Sequence, residues 1–271
     1  MKNVYLKVAL AVIIFLVMQA LGGVIIVAIA AVMKHGAMQD IASGGTPASP
    51  ALLALAVILS GLATCYVLWG LKMIRLPQAL SCSPVRWCPA LLGILAAVVG
   101  IFSTDLASEM LDLPDIMADA FMGMAKNVWG ILGIAVVGPV VEELVFREAI
   151  QGSLERSGKP FWLAAVVSAL CFGIIHLNPA QIPFAFVMGL ILSVIYHKTG
   201  NAVVTSIIHI FNNSLAVLQM NLLGERAADF KMGQWLGLSP LCEWAIAAAL
   251  AVLCVFLLCR YWQLKTIDLS N

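Results

Sequence analysis

The sequence predicts an all-α polytopic membrane protein, a bundle of about eight transmembrane helices with both termini cytoplasmic and residues 1–271 in a single transmembrane domain. Three observations carry that prediction. Hydrophobic residues make up 62% of the chain and charged residues 11%, against about 45–50% and about 25% in a soluble domain. The apolar residues fall into eight runs close to the ~20 residues that cross a bilayer as a helix. The charges between the runs are distributed unevenly, which fixes an orientation. The same composition excludes intrinsic disorder and a secreted disulfide scaffold, and a net charge of +1 gives no electrostatic case for nucleic acid. The expected surroundings are the lipid bilayer.

The first run, Tyr5–Met33, follows Lys2 and Lys7. Ala28-Ile29-Ala30 resembles a signal-peptidase site, but a signal peptide has an apolar core of about 7–15 residues. This run is about twice that, so it reads as an uncleaved first helix. The second and third runs are Ala51–Ile74 and Cys88–Leu106. A loop with Asp105, Glu109, Asp112, Asp115 and Asp119 follows. Within it, Met110–Lys126 reads either as an amphipathic surface helix or as a solvated acidic loop. The remaining runs are Val128–Ile150, Phe161–Leu177, Ile182–His197, Ala202–Leu223 and Pro240–Trp262, the fifth and sixth being short. No spacing repeats, so neither a solenoid nor an obvious inverted-repeat transporter is indicated. Cys65, Cys171, Cys254 and Cys259 lie inside apolar runs and Cys242 starts one, as small hydrophobes do. Cys82 and Cys88 lack CxxC spacing, which argues against a zinc or redox motif.

With the N-terminus in the cytoplasm, the inner side carries Lys2, Lys7, Lys72, Arg75, Arg86, Arg147, Arg156, Lys159, Lys198, Arg260 and Lys265. The outer side carries Lys34, Lys126, Arg226 and Lys231. That bias places both termini inside. His35 and His197 read as surface residues.

Polar groups inside the apolar runs are the functional signal. The fourth run holds Glu142, Glu143 and Arg147; the fifth ends in Phe172 and His176; the seventh holds His209, Asn212 and Asn213. An ionisable side chain in a membrane helix costs about 2.5–3.5 kcal/mol, so such residues face the interior and mark a functional path. Glu143 and Arg147, four apart, pair on one face. Glu142 then stands about 100° away without a local partner and is the reactive carboxylate. Phe172 and His176 share a face, as do His209 and Asn213. A carboxylate to activate water, imidazoles to hold or protonate, and an amide to stabilise negative charge make a minimal hydrolytic kit. Depth adds a condition. Counted at 1.5 Å per residue, Glu142 lies about 12 Å deep if its helix stops at Ile150, well above His176. It lies about 21 Å deep, near His176, if the helix runs to about Arg156. A long fourth helix continuing past Gly152 is therefore expected.

At these residues the chain resembles the CPBP intramembrane proteases, also called the Abi or type II CAAX prenyl protease family. Its EExxxR, FxxxH and HxxxN motifs are matched by Glu142-Glu143-xxx-Arg147, Phe172-xxx-His176 and His209-xxx-Asn213. Gly189, Tyr196, Thr199 and Gly200 also look like the family's stretch before its last motif. The likeness covers roughly Val137–Leu218, which places the catalytic core at residues 137–218. Where members usually carry Gly after the Arg, this chain has Glu148, a side chain that would crowd a helix contact or add an acid near the site. The resemblance implies a glutamate-dependent endopeptidase acting on a membrane-associated peptide or protein. Glu142 and His176 would activate water, and His209 and Asn213 would form the oxyanion site. Glu143, Arg147, Phe172 and Asn212 would support them. Metal dependence stays open. Glu142, His176 and His209 could ligate zinc, though HExxH is absent. Two other readings use the same residues: an ion-coupled transporter, and a non-catalytic immunity or scaffold protein of the same fold.

Overall fold

The computed structural model describes residues 3–33, 48–82, 85–227 and 229–264, apart from the Glu225 and Met33 side chains. Lys2, Lys34, His35 and Lys265 fall outside them. Among the described residues regular structure is helical throughout. We number the principal helices α1 (Val4–Met33), α2 (Pro50–Gly70), α3 (Trp87–Leu111), α4 (Ala118–Ala125), α5 (Val128–Arg156), α6 (Phe161–Ile174), α7 (Ile182–Thr199), α8 (Val203–Leu223) and α9 (Pro240–Gln263). Seven of them are long and apolar enough to cross a membrane, and α6 is a shorter apolar helix. The chain is an integral membrane protein.

Local chemistry sets several boundaries. The Ser49 and Ser239 hydroxyls accept from the backbone N–H groups of Leu52 and Cys242, with proline opening α2 and α9. Each pairing satisfies an orphan donor where a missing proline N–H costs nothing. The Asn127 side chain caps α5 by accepting from Gly130 N–H. Gly200, at φ 70°, closes α7 in the left-handed conformation that favours glycine.

Helix α5 is continuous from Val128 to Arg156, so the expected extension past Gly152 is present. Its winding is not uniform. An α-helical start gives way to a π-helical stretch at Leu132–Val137, returns to α at Gly138–Glu143, and widens again at Leu144–Gln151. These four stretches and the final α-helical turn, Gly152–Arg156, make one rod. The α6 helix is about 21 Å long at 1.5 Å per residue, short of the ~30 Å hydrocarbon core. Its buried face, Ala164, Ala165, Ser168, Ala169, Phe172 and Gly173, packs closely on α7. A Cβ built on Gly189 would lie 3.0 Å from Ala169. Small residues let these backbones approach.

The two ends of the chain meet at one end of the bundle. Lys159 lies over the Tyr5 ring at 4.9 Å, and Phe161 packs on Trp262 at 5.1 Å. At the other end, Lys231 pairs with Asp112 at 3.0 Å, Glu109 accepts from the N–H groups of Met232 and Gly233, and Asn178 donates to Asp115 at 2.8 Å. Three expectations need correction here. Asp105 and Glu109 belong to α3, which runs on to Leu111 because no breaker precedes Pro114. Arg147 is no loop charge but is fully buried. His197 is tied to Glu155 at 2.9 Å and stacked on Trp262, because α7 delivers it between α5 and α9.

Candidate active site

The polar cluster is built from two helices and one turn. Glu142 and Glu143 end the α-helical stretch of α5, where the π turns on either side shift the side-chain register. Single π turns inside α-helices recur at functional sites. The chain leaves α6 at Ile174, three residues earlier than expected, and turns at Leu177, whose φ of 51° is unusual for a non-glycine residue. His176 sits in this turn. Asn178, completely buried, pins the turn by accepting from Ile116 N–H and donating to Asp115. Helix α8 supplies His209, Asn212 and Asn213.

The Glu143–Arg147 pair forms as the spacing predicts, Nε to Oε2 at 3.0 Å with neither side chain reaching solvent. Arg147 also donates to the Ser168 and Ser193 hydroxyls at 2.9 and 3.2 Å, and lies 5.3 Å from the Phe172 ring centre. These partners compensate a buried cation that would otherwise be costly; only its Nη2 has none. Glu143 does more than balance Arg147. Its Oε1 lies 3.2 Å from His209 Nδ1, and His209 Nε2 lies 3.6 Å from Glu142 Oε2. The ring of His209 therefore stands between two carboxylates. A salt-bridged carboxylate accepts, so Nδ1 carries the hydrogen and Nε2 is the nitrogen presented to Glu142.

His176 has a comparable constraint. Its Nδ1 is 2.7 Å from the Phe172 carbonyl, which can only accept, so in the neutral ring the free nitrogen is Nε2. The Phe172 ring contacts both imidazoles edge-on, at centroid separations of 5.0 Å from His176 and 5.5 Å from His209. It acts as a wedge that holds the two rings. Asn213 donates one amide hydrogen to the Ile134 carbonyl at 3.0 Å, inside the first π stretch, and accepts from Asn212 at 3.1 Å. One N–H of Asn213 remains.

Glu142, His176, His209, Asn212 and Asn213 all line one cavity of about 510 Å³. The rest of its wall is largely apolar, with Phe121 and Met124 of α4 on one side and Phe184 and Met188 of α7 on another. Thus α4, within the stretch left open between a surface helix and a loop, contributes part of the cavity wall. Glu142 keeps one-fifth of its side chain accessible, whereas His209 is nearly buried. Sequence reasoning missed one lining residue, Asp105, by assigning it to a loop. The unbroken helix-forming run through Leu111 was the signal that could have placed it.

Glu148 does not face this site. It is fully buried and pairs with Arg75 at 2.7 Å and Arg156 at 3.0 Å, and the Tyr196 hydroxyl donates to it. The bond to Glu148 raises the pKa of the Arg75 guanidinium above its ordinary value. Among the described residues no three His, Cys, Asp or Glu side chains form a group able to hold a metal ion, the trio Glu142, His176 and His209 included.

Residues 124–215 match the family model described as type II CAAX prenyl endopeptidase Rce1-like. The membrane-embedded CAAX protease MroQ of Staphylococcus aureus (strain USA300) is 37% identical over 90 residues, 31% of this chain and 36% of that protein. YdiL of Bacillus subtilis (strain 168), named provisionally as a membrane peptidase, is 30% identical over 84 residues, 31% of this chain and 34% of that protein. The matches span about a third of each relative. Both relatives are bacterial, and a bacterial membrane is the location they support. No solved structure matches the chain significantly.

Proposed function

We propose, from the match of residues 124–215 to the Rce1-like family model, that this chain is a membrane endopeptidase. It hydrolyses a peptide bond of a membrane-associated peptide or protein. One observation carries the reading: four polar side chains from three separate segments, Glu142, His176, His209 and Asn213, line the same cavity.

In this reading a water sits between the Glu142 carboxylate and His176 Nε2. Glu142 takes a proton as the water oxygen attacks the scissile carbonyl carbon. The oxyanion that forms is met by the remaining N–H of Asn213 and by His209, whose imidazolium form donates from Nε2. Collapse breaks the C–N bond, and the proton on Glu142 passes to the leaving amine, restoring the carboxylate. Glu143 fixes the tautomer of His209, and Arg147 holds Glu143 in place through their ion pair. The apolar wall accepts the substrate's side chains and limits bulk water. No step calls on a metal ion.

The Glu142→Gln variant tests the assignment in protein reconstituted into liposomes. Removal of the general base is expected to lower kcat/KM at least about a hundredfold. Thermal unfolding should stay near wild type, because Glu142 makes only the 3.6 Å approach to His209. Cleavage at the wild-type rate would overturn the assignment.

A further inference from the structure

The cavity wall carries a second carboxylate that the hydrolytic scheme does not use. Asp105 lies on α3, six residues before its end, and lines the same cavity as Glu142. Its side chain has no hydrogen bond or ion pair among the described residues. The neighbouring hydroxyls are already committed, Ser108 to the Asp105 carbonyl at 2.6 Å and Thr104 to the Gly100 and Ile101 carbonyls. Glu109, one turn on, has the same sign and is occupied with the backbone of Met232 and Gly233. No Lys or Arg lines the cavity. An ionisable group in a membrane helix is expensive and is kept where it meets a partner; Asp105 is exposed on the cavity wall, and the described residues provide none.

We propose that Asp105 is a specificity determinant that receives a cationic group of the substrate, a Lys or Arg side chain or a free amine, close to the scissile bond. The inference rests on the protease reading and names its substrate class: an apolar membrane-associated peptide bearing a positive charge near the cleaved bond. Peptide and carboxylate supply opposite charges in a poorly solvated cavity, where complementarity discriminates between partners. Phe121 and Met124, on the opposite short helix, offer apolar contact for the methylene stem of such a side chain.

Two measurements test this. Paired liposome-reconstituted peptides that differ only in Lys against norleucine near the cleavage site are compared for kcat/KM. The wild type is expected to favour the Lys peptide about tenfold, and Asp105→Asn to bring that ratio close to one. Cleavage of both peptides by the wild type at equal rates overturns the inference and leaves the protease reading intact. No cleavage of any peptide overturns both. The second measurement needs no turnover. The Glu142→Gln protein, with and without Asp105→Asn, is titrated with the same two peptides. Tighter binding of the Lys peptide only when Asp105 is present supports the inference, and equal affinities overturn it.

Discussion

At Arg147 a guanidinium sits among two serine hydroxyls, one carboxylate and an aromatic face, with no access to solvent. The consequence of removing it differs from that of removing the pair. Arg147→Met leaves buried Glu143 with only its hydrogen bond from His209 in place of the ion pair, and should cost about 3–5 kcal/mol in thermal or denaturant unfolding. The double variant Glu143→Met, Arg147→Met replaces the pair by apolar volume and should recover most of that loss. It should not recover turnover, since His209 then lacks the acceptor that fixes its Nδ1 hydrogen. A double variant with wild-type kcat would remove Glu143 from the positioning of His209. Glu148 makes a second residue-level case. Placing glycine at position 148, the residue usual in the family the chain resembles, leaves Arg75, Arg156 and Tyr196 without their shared acceptor. Glu148→Gly is expected to destabilise by about 2–3 kcal/mol, a value reduced because water reaches both arginines. Greater stability than wild type would show that the cluster is a burden. The Glu143–Arg147 pair was legible in the sequence because its spacing is one helical turn. The Glu148 cluster was not, because Arg75 and Tyr196 lie 73 and 48 residues away and only the packed helices bring them in.

Among the elements, hydropathy fixed the helices better than it fixed their winding. Apolar runs place α1, α7 and α9 to within two residues, and the depth argument foresaw that α5 passes Gly152. The π stretches either side of Glu142 and Glu143 escaped, since no residue type marks an i→i+5 turn. So did the early end of α6, which is set by the Asn178–Asp115 contact with a distant turn. The α6–α7 interface bears on the cavity through Phe172. A side chain at Gly189 meets Ala169 at 3.0 Å and the Phe172 ring at 3.3 Å. Gly189→Val must therefore separate the two helices or push Phe172 aside, and Phe172 packs against both the His176 and His209 rings. Overpacking of this kind costs about 1–3 kcal/mol, and cleavage should fall more steeply than stability. Full activity with a strained helix pair, seen as a lowered unfolding temperature alone, would detach the Phe172 wedge from catalysis.

Over the whole molecule, the two halves of the bundle differ in what they contain. The half nearest the chain termini holds the Glu148 cluster and the contacts of Tyr5, Lys159 and Trp262. The cavity occupies the half toward residues 105–121 and 180–185. Polar contacts connect the two: Arg147 donates to the Ser193 hydroxyl, and Gln151 donates to the Ser193 carbonyl and to Glu155. The loop charges predict the termini half on the cytoplasmic side, and on that prediction the cavity half faces the opposite side. The protein's own cysteines can decide this. All seven are free; Cys82 and Cys88 are exposed beside the termini half, and Cys242 is exposed at the start of α9 on the cavity half. In intact cells, a membrane-impermeant maleimide should modify Cys242 and spare Cys82 and Cys88, and inside-out vesicles should give the reverse. The opposite labelling would invert the bundle and present the cavity to substrates from the cytoplasm. Such an inversion would leave Glu142, His176, His209 and Asn213 in place, because their convergence depends on helix packing and not on which leaflet receives the mouth.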